Sequence, residues 1–542
     1  MTEDAALRRW LARALAGVAG GAAIVLAGTA ALWIDARQMP PVDLSRVAEG
    51  SPLVVDRSGR LLRPFTTADG RWKLPVRASE VDAGYLALLK AYEDRRFETH
   101  GGVDGLAMVR AARQLLGQGR IVSGGSTLTM QVARLLEPRE ERSFGAKVRQ
   151  MRRAWNLEAQ ASKAGILDMY LTLAPYGGNI EGVRAASLAY FGKEPRRLSL
   201  SESALLVALP QAPEARRPDR FPLAAKRARD RVLELGVARG LVSAGDAAAA
   251  KLDPVPQARR PFPMLAPHVA ETLVRAEPGR RLHQSSIDAR LQGALESLAR
   301  ERADMMSPRT SLAMVVLDNA TGEVRASVGG PDLFDAMRAG SMDLTQAVRS
   351  PGSALKPFIY AFAFEAGIAH PETMLDDRPA RYATYAPENF DLAFQGSVTA
   401  RVALQQSLNV PAVDLLAEVG PARFVARLRG AGVDIILPKE APPGLPTALG
   451  GLGIRLTDLA RLYAGLARGG ATLPARPRSD SAVGGTGERA LTSPVAAWYV
   501  ADVLRGAPPP AHALGGRLAF KTGTSYGYRD AWAVGFDRRV TI

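Results

Sequence analysis

Residues 350–358 read SPGSALKPF and place Ser353 three positions before Lys356. Residues three apart share one face of a helix, so the lysine amine can reach the serine hydroxyl. Serine is a weak nucleophile until a base takes its proton, and lysine can be that base when burial or a nearby cation lowers its pKa. Arginine cannot, and most of the chain's 70 basic residues are arginine. The pair predicts an activated serine, although by itself it is equally typical of a helix cap.

Two later segments strengthen this interpretation. QSLNVPA at 406–412 contributes Ser407 and Asn409, and FKTGTS at 520–525 contributes Lys521, Thr522, Gly523 and Thr524. Taken separately, they are typical of an exposed helix and an edge strand. The order Ser-x-x-Lys, Ser-x-Asn, Lys-Thr-Gly marks the penicillin-binding and serine β-lactamase fold.

The whole chain is longer than one hydrophobic core allows. Its 542 residues suit two or three domains, and 47% hydrophobic with 23% charged residues argues against disorder. A net charge of +16 favours anionic partners, namely phosphate esters, nucleic acid or lipid headgroups. No helix-turn-helix, zinc-finger or RNA-binding signature accompanies the charge, so we expect no nucleic acid partner. Without cysteine, disulfides and thiolate metal sites are excluded.

A second candidate site lies earlier in the sequence than the Ser353 site. AYEDRRFETHGGVD at 91–104 puts Glu93 and Asp94 at the end of an amphipathic helix, beside a glycine-bearing loop that holds His100 and Asp104. A carboxylate in this position can act as a general base, although a solvated helix end has the same pattern.

SGGSTLTMQ at 123–131 follows this helix end. Gly124 and Gly125 allow close backbone approach to a ligand, and Ser126 is the predicted N-cap of the next helix. Free N–H groups at a helix start suit a pyrophosphate, whereas a merely well-capped helix needs no ligand.

Together these segments resemble the class A penicillin-binding proteins. The glycosyltransferase family 51 part of the resemblance extends over 93–105, 124–136, 165–193 and 198–213. It implies a mainly α, lysozyme-like glycosyltransferase domain that polymerises lipid II with inversion. An α/β (α+β) transpeptidase domain of the serine β-lactamase type follows in this family.

For the first site the resemblance implies that Glu93 takes the proton of the acceptor sugar hydroxyl. Lys147 and Arg149, on the predicted helix at 146–159, would help the pyrophosphate to leave. Most members carry glutamate where this chain has Gln150, which can neither titrate nor strongly attract a metal. Glu158 does not match that position. The implied substrate-binding residues are Asp94, Gly125, Ser126, Thr127, Gln131, Lys147, Arg149 and Gln150.

The glutamine resembles the type 1C branch of the family, as does YAPENF at 385–390. It leaves the catalytic rate open. The resemblance implies no required cofactor and leaves open a divalent cation, Mg²⁺ or Mn²⁺, at the glycosyltransferase site.

For the second site the resemblance implies that Ser353 attacks the D-Ala-D-Ala carbonyl with Lys356 as base. Ser407 would pass a proton to the departing amine, and Asn409 would orient Lys356 and the substrate amide. Lys521 would hold positive charge near the substrate carboxylate, with hydrogen bonds from Thr522 and Thr524. Gly523 would let substrate lie along the strand, and the backbone N–H groups of Ser353 and Thr524 would form the oxyanion hole. The implied ligands are lipid II, nascent glycan strands, stem peptides and β-lactams.

An uncharged run at 14–34 is long enough to cross a bilayer. Arginines precede it and Asp35 follows, which predicts a cytoplasmic tail at 1–13 and catalytic domains in the periplasm. A cleaved signal peptide, ending in the small residues at 27–30, is the alternative. The predicted location is the bacterial inner membrane, crossed once.

Periodicity predicts the remaining organisation. A strand and turn are expected at 52–62, mostly helix at 80–250, and a β-hairpin at 311–330. Further helices are expected at 354–367, 400–418 and 454–468, and strands at 516–522 and 531–542. The predicted domains are glycosyltransferase at 45–235, linker region at 236–300 and transpeptidase at 301–542.

Three functions are compatible with these patterns. The first is a bifunctional peptidoglycan synthase. The second is a transglycosylase whose transpeptidase module is inactive or insensitive to β-lactams. The third is a non-catalytic scaffold for other cell-wall synthesis proteins, for which Gln150 gives some support.

Family members continue past the strand in which this sequence ends, so we expect the transpeptidase half to be incomplete. A sheet without its covering helix exposes apolar surface and an unpaired edge. We therefore predict poor stability for residues 300–542 expressed alone. Cooperative melting of that fragment in calorimetry would contradict this expectation.

Overall fold

A computed structural model describes residues 10, 20, 27–110, 125–138, 143–383, 385–438, 442–478, 487–509 and 515–542. The chain divides into two compact units. The N-terminal unit comprises Met1–Pro52 and Pro64–Phe262, and the C-terminal unit comprises Leu53–Arg63 and Pro263–Ile542. Most of the predicted membrane segment lies outside the described residues. Residues 27–38 are helical, and no helix in the described part of the chain is both long and apolar enough to cross a bilayer.

The N-terminal unit is mainly helical, as predicted. Most of its helices begin after a Ser, Thr or Asp whose side chain accepts a hydrogen bond from the first turn, which is why these residues define the helix starts. Besides short helices such as Ser45–Ala48, the unit contains α1 (Ala83–Glu93), α2 (Leu128–Leu136), α3 (Phe144–Gln160), α4 (Lys163–Leu173), α5 (Val183–Phe191), α6 (Leu200–Ala208), α7 (Pro222–Ala238) and α8 (Ala244–Leu252).

The predicted N-cap of α2 was wrong by one residue. Thr127, not Ser126, has its hydroxyl oxygen within 3.1 Å of the Met130 amide, from which it accepts. The Ser126 hydroxyl does not cap α2 and instead accepts a hydrogen bond from Lys147. Serine and threonine are both favoured N-caps, and the general preference for serine is too small to separate adjacent candidates from sequence alone.

The core of the N-terminal unit lies where α1, α6 and α7 pack together, and α2 packs against α3 and α4. In the described part of the unit, a small sheet pairs β3 (Trp72–Lys73) in parallel with β4 (Ile180–Glu181). Four tyrosines are almost fully buried in this core, and Tyr85 and Tyr176 join their hydroxyls at 2.8 Å. The tyrosines are Tyr85, Tyr170, Tyr176 and Tyr190.

The C-terminal unit is built on a five-stranded sheet. The predicted hairpin is confirmed as β6 (Met314–Asp318) and β7 (Val324–Val328), and Gly322 supplies the positive φ of the turn. The later strands are β12 (Ala519–Thr524), β13 (Ala531–Phe536) and β14 (Val540–Thr541). The strand order in the sheet is β12-β13-β14-β6-β7.

Smaller sheets flank the main one. The early strands β1 (Leu53–Val55) and β2 (Leu61–Pro64) join β5 (Leu282–Gln284), with β1 parallel to β5. Antiparallel pairs form from β8 (Met374–Asp377) with β9 (Gly396–Thr399), and from β10 (Ala471–Thr472) with β11 (Arg489–Ala490).

The hydrophobic core of the C-terminal unit surrounds one central helix, α11, every residue of which is buried from Lys356 to Phe364. The helices of this unit are α9 (Pro267–Ala276), α10 (Ala289–Asp304), α11 (Lys356–Glu365), α12 (Ala400–Gln405), α13 (Val410–Val419), α14 (Pro421–Gly430), α15 (Leu456–Ala467) and α16 (Pro494–Arg505). Helices α13 and α16 pack against α11, and α10 packs against β7.

The single helix predicted at 400–418 was wrong, because it is divided into α12 and α13. Ser407 lies in the break with φ +61°, a left-handed conformation that is strained for a residue with a Cβ. The apolar periodicity continues through the break and therefore conceals it.

Residues 236–300 were predicted as a linker region, and the structure places regular elements there. Helix α8, helix α9, strand β5 and the start of α10 fall in this range, and the compact units divide between Phe262 and Pro263. Within this range, the Pro- and Arg-rich segment between α8 and α9 has no regular secondary structure.

The buried hydroxyl of Tyr463 yields a stability prediction. It donates to the Ala354 carbonyl at 2.6 Å, directly beside Ser353. Tyr463→Phe leaves that carbonyl unsatisfied, so we expect a loss of about 1–2 kcal/mol in the C-terminal unit. The measurement is the urea midpoint of α11 peptides in the full chain, read by hydrogen-exchange mass spectrometry.

The matched control is Tyr526→Phe, because Tyr526 is 98% exposed. It should change the free energy of unfolding by no more than about 0.5 kcal/mol. Equal midpoints for the two variants would contradict the structural importance of the Tyr463 hydrogen bond.

Candidate active sites

Glu93 is the last residue of α1, and its carboxylate accepts hydrogen bonds from two neutral side-chain amides. Gln131 Nε2 donates to Oε2 at 2.8 Å, and Gln211 Nε2 donates to Oε1 at 2.9 Å. Burial raises the pKa of Glu93, while the two amides and the charges of Arg216 and Arg134 lower it. A carboxylate that is partly desolvated, yet held by donors that do not neutralise it, is suited to accept a proton.

Asp94 and Thr127 are placed differently from Glu93. Both are buried, and the Asp94 carboxylate accepts from the Leu128 amide at 2.9 Å and contacts His100 Nε2 at 2.9 Å. Thr127 caps α2 and donates to the Gly102 carbonyl at 2.6 Å. These contacts join the loop after α1 to the start of α2 and thereby position Glu93 and Gln131.

The predicted cationic residues lie on α3. The amine of Lys147 is hydrogen-bonded to the hydroxyl of Ser126, and Gly125 immediately precedes that serine. Burial, together with the charge of Arg134, lowers the pKa of Lys147. The charge of Arg134 lowers the pKa of both Glu93 and Lys147, so this arginine is electrostatically coupled to both groups.

Arg149 and Gln150 line a cavity of about 120 Å³ in the N-terminal unit. Among the described residues, three other arginines line it, Arg134, Arg152 and Arg153, together with the carboxylate of Glu137, which is paired with Arg153 at 2.8 Å. Such a lining suits an anion. Glu158 lies elsewhere, where it accepts hydrogen bonds from Thr129 and Lys163.

In the C-terminal unit the turn before α11 is in very close contact with strand β12. Gly352 has φ +54°, and a Cβ added there would lie 2.2 Å from the Thr524 carbonyl oxygen. A Cβ on Gly523 would lie 2.5 Å from the Pro351 carbonyl oxygen. Only glycine fits at these two positions, so β12 lies directly against the turn that carries Ser353.

The amine of Lys356 is completely buried at the start of α11. It donates to the Ser407 carbonyl at 2.5 Å, the Leu408 carbonyl at 3.0 Å and Asn409 Oδ1 at 2.6 Å, and it lies 3.4 Å from Ser407 Oγ. Burial and then the charge of Lys521 hold the pKa of Lys356 well below its ordinary value. This is the condition under which a lysine can be a base near neutral pH.

Ser407 joins the two lysines. Lys521 Nζ donates to Ser407 Oγ at 2.7 Å and to the Thr522 carbonyl at 2.9 Å. Burial lowers the pKa of Lys521 to about 8. The structure thus brings together four of the five predicted catalytic residues of this site, Lys356, Ser407, Asn409 and Lys521.

The fifth, Ser353, is half-buried one turn before Lys356, with its backbone facing β12. No hydrogen bond described for this chain joins its hydroxyl to either lysine. Strand β12 is the edge strand of the sheet, with Lys521 and Gly523 buried and Thr522 and Thr524 exposed. An extended peptide can add to such an edge beside Ser353.

Sequence reasoning assigned no role to several residues of these sites. Gln211 and Arg134 act on Glu93, and each lies in a segment that carried the resemblance. Asn389 hydrogen-bonds to both Asp377 and the backbone N–H of Asn409. Only the YAPENF segment drew attention to Asn389. For Gln211, Arg134 and Asn389 the signal was a position within a family segment and not a recognisable motif, and for Asp377 there was no signal in the sequence.

Comparison with known proteins agrees with this geometry. Residues 58–236 match the family described as Transglycosylase, and residues 312–539 match the penicillin binding protein transpeptidase domain. The two matched ranges contain both candidate sites.

Curated relatives match along most of the chain. Penicillin-binding protein 1C of Escherichia coli is 44% identical over 94% of this chain, which spans 66% of that protein. Penicillin-binding protein 1F of Bacillus subtilis is 30% identical over 91% of this chain, which spans 73% of it. The chain therefore spans only about two thirds of the length of these relatives.

One solved structure supports the fold. The crystal structure of penicillin-binding protein 1A from Haemophilus influenzae aligns with a TM-score of 0.51 at 17% identity, covering 91% of this chain and 87% of that one. Taken with the two matched domains and the identity to the 1C and 1F proteins, this places the chain in the family of class A penicillin-binding proteins, with a transglycosylase domain followed by a transpeptidase domain.

Proposed function

We propose that this chain is a bifunctional peptidoglycan synthase, which polymerises lipid II in its N-terminal unit and cross-links stem peptides in its C-terminal unit. The observation that carries the proposal is the buried Lys356 amine, joined through Ser407 to Lys521 beside Ser353. Membership of the class A family supports the pairing of two activities in one chain.

Glycan polymerisation requires a base on one side of the donor sugar and positive charge on the other. Glu93 takes the proton of the acceptor hydroxyl as its oxygen forms a bond to the donor anomeric carbon. The bond from that carbon to the pyrophosphate breaks, and the lipid pyrophosphate leaves with the electron pair. Lys147 and Arg149, together with Arg134, stabilise the negative charge that develops on it.

Among the residues that the structure describes, this site offers no ligand set suited to a divalent cation. Gln150 supplies a neutral amide, and the described lining of its cavity carries four arginines and one carboxylate, which is already paired with Arg153. Mg²⁺ and Mn²⁺ prefer several oxygen ligands with negative charge. No step of the proposed reaction is routed through a metal.

Transpeptidation begins with attack of Ser353 Oγ on the D-Ala-D-Ala carbonyl carbon, while the neutral amine of Lys356 takes the hydroxyl proton. The N–H groups of Ser353 and Thr524 stabilise the oxyanion, since β12 lies against the turn of Ser353. When the peptide bond breaks, the proton that Lys356 took passes through Ser407 to the departing D-Ala amine, which leaves Lys356 neutral again. An amine of a second stem peptide then attacks the acyl-enzyme, and the Ser353 oxygen regains its proton.

The remaining roles follow from charge and location. Lys521, when protonated, attracts the substrate carboxylate, and Thr522 and Thr524 donate to it along β12. β-Lactams react as analogues of the peptide and acylate Ser353. We further propose that residues 14–34 anchor the chain in the bacterial inner membrane, with both units in the periplasm and other cell-wall synthesis proteins as candidate partners.

Lipid II polymerisation by the purified full chain tests the first activity. Glu93→Gln removes the base and should lower the rate by roughly 10²–10⁴-fold. Gln150→Glu restores the residue typical of the family and should raise it. Glu98→Gln is the control, because Glu98 is an exposed neighbour that pairs with Lys90. A Glu93→Gln variant as active as the control would refute the assignment.

The pH dependence of acylation by a fluorescent penicillin tests the second activity. The rate should rise with pH while Lys356 loses its proton, and it should fall above about pH 8 as Lys521 becomes neutral. Ser353→Ala should give no label at any pH. In Lys521→Arg the positive charge persists, so the fall above pH 8 should disappear even if the rate is lower. A label independent of Ser353 would contradict this mechanism.

A further inference from the structure

Asp377, at the end of β8, is a fully buried carboxylate. Its oxygens accept hydrogen bonds from Asn389 Nδ2 at 2.8 and 2.9 Å and from the backbone N–H of Gln395 at 2.7 Å. Among the residues that the structure describes, no lysine, arginine or histidine forms an ion pair with it. Burying an unpaired charge is costly, so a carboxylate kept in this state calls for an explanation.

Asn389 connects this carboxylate to the transpeptidase site. Its Nδ2 also donates to the Ala393 carbonyl at 2.8 Å, and its Oδ1 accepts from the Asn409 backbone amide at 2.7 Å. Both amide hydrogens face acceptors and the oxygen faces a donor, so the orientation of the side chain is determined. A reversed amide would set its NH₂ group against the Asn409 N–H.

Asn409 is therefore held from both sides by one segment. Its backbone N–H binds Asn389, and its Nδ2 donates to the Glu388 carbonyl at 2.6 Å. These contacts leave Oδ1 to accept from Lys356 Nζ at 2.6 Å. The result is a continuous chain of hydrogen bonds from Asp377 through Asn389 and Asn409 to the amine of Lys356.

We propose that Asp377 and Asn389 are positioning residues of the transpeptidase reaction, which orient Asn409 and place a fixed negative charge behind the Lys356 amine. This inference rests on the proposed transpeptidase function. Neither residue touches substrate. Asn389 acts through the geometry of Asn409, and Asp377 acts through the orientation of Asn389 and through its charge.

The charges around Lys356 determine the sign of the expected effect. On α11 itself the neighbour is the buried phenol of Tyr360, on which the charges of Asp377 and of Asp414 from α13 act. From β12 the charge of Lys521 lowers the pKa of Lys356, and from β8 the charge of Asp377 raises it. The break between α12 and α13 contributes only neutral groups, Ser407 and Asn409.

Removing the charge of Asp377 should therefore lower the pKa of Lys356 further. Because Lys356 acts as a base when neutral, the acidic limb of the acylation profile should move to lower pH. A role restricted to holding the 388–395 loop would lower the rate at every pH and leave the limb in place. The position of the limb separates these two explanations.

The experiment is the acylation rate of the full chain by a fluorescent penicillin from pH 5 to 9. Asp377→Asn preserves shape and removes the charge, so we expect the acidic limb to move down by about one pH unit or more. The matched control is Asp376→Asn, the adjacent residue of β8, which is exposed and accepts from the Ser397 hydroxyl. It should reproduce the wild-type profile.

Asn389→Ala is the second variant, because it retains the charge of Asp377 and interrupts the hydrogen bonds to Asn409. It should lower acylation roughly 10- to 100-fold with the limb nearly unmoved. Thermal midpoints show which variants are folded, and Asn389→Ala carries the test if Asp377→Asn is not. A folded Asp377→Asn with the profile of Asp376→Asn, or a folded Asn389→Ala with the wild-type rate, overturns the proposal.

The outcomes distinguish this inference from the function on which it rests. If wild type is not labelled, or if Ser353→Ala is labelled equally, the transpeptidase proposal itself fails. If wild type is labelled through Ser353 and the variants behave as their controls, only the positioning role of Asp377 and Asn389 fails.

Discussion

The C-terminal unit depends on taking the Lys356 amine out of water at the start of helix α11, which is buried from Lys356 to Phe364. The positive end of the α11 dipole disfavours a charged amine at that point, and burial removes the amine from bulk solvent. The protein meets this constraint with the two carbonyls and one amide oxygen of residues 407–409. Those acceptors converge only because the chain turns at Ser407 in a strained conformation. The same turn places the serine hydroxyl between two amines, so the strain is the structural origin of the proton path.

The two sites tune their bases by opposite means. In the N-terminal unit the base is the Glu93 carboxylate, which accepts hydrogen bonds from two neutral side-chain amides. In the C-terminal unit the base is the Lys356 amine, which donates to two backbone carbonyls and one amide oxygen. Neither Glu93 nor Lys356 forms an ion pair among the contacts described here, because a direct ion pair would fix the charged form of either group. Burial then moves the pKa of each toward neutrality, upward for the glutamate and downward for the lysine.

The sequence was sufficient for the overall architecture because local signals and fold agree. The α1 pattern, the hairpin around Gly322 and the three transpeptidase motifs are each specified within a few residues. What could not be predicted depends on groups far apart in the chain. The break at Ser407 follows from acceptors required by Lys356, and the contact of Gly352 with Thr524 joins segments more than 150 positions apart. Gln211, Asp377 and Asn389 carry no motif of their own, since an amide or a buried carboxylate gains its role only from the partner that tertiary structure supplies.

Strand β1 emerges from the ribosome early, yet its partner β5 is synthesised much later, and Ser285 bonds Val55 across 230 positions. Leu53–Arg63 must therefore stay unpaired with β5 while Pro64–Phe262, the larger part of the N-terminal unit, is synthesised between the two strands. Closing so long a loop is slow relative to helix formation, which makes this pairing a late event in biogenesis. A gene fragment that starts after residue 263 would lack two strands of the sheet that β5 joins, so a simple cut at the apparent domain border does not yield the complete C-terminal unit.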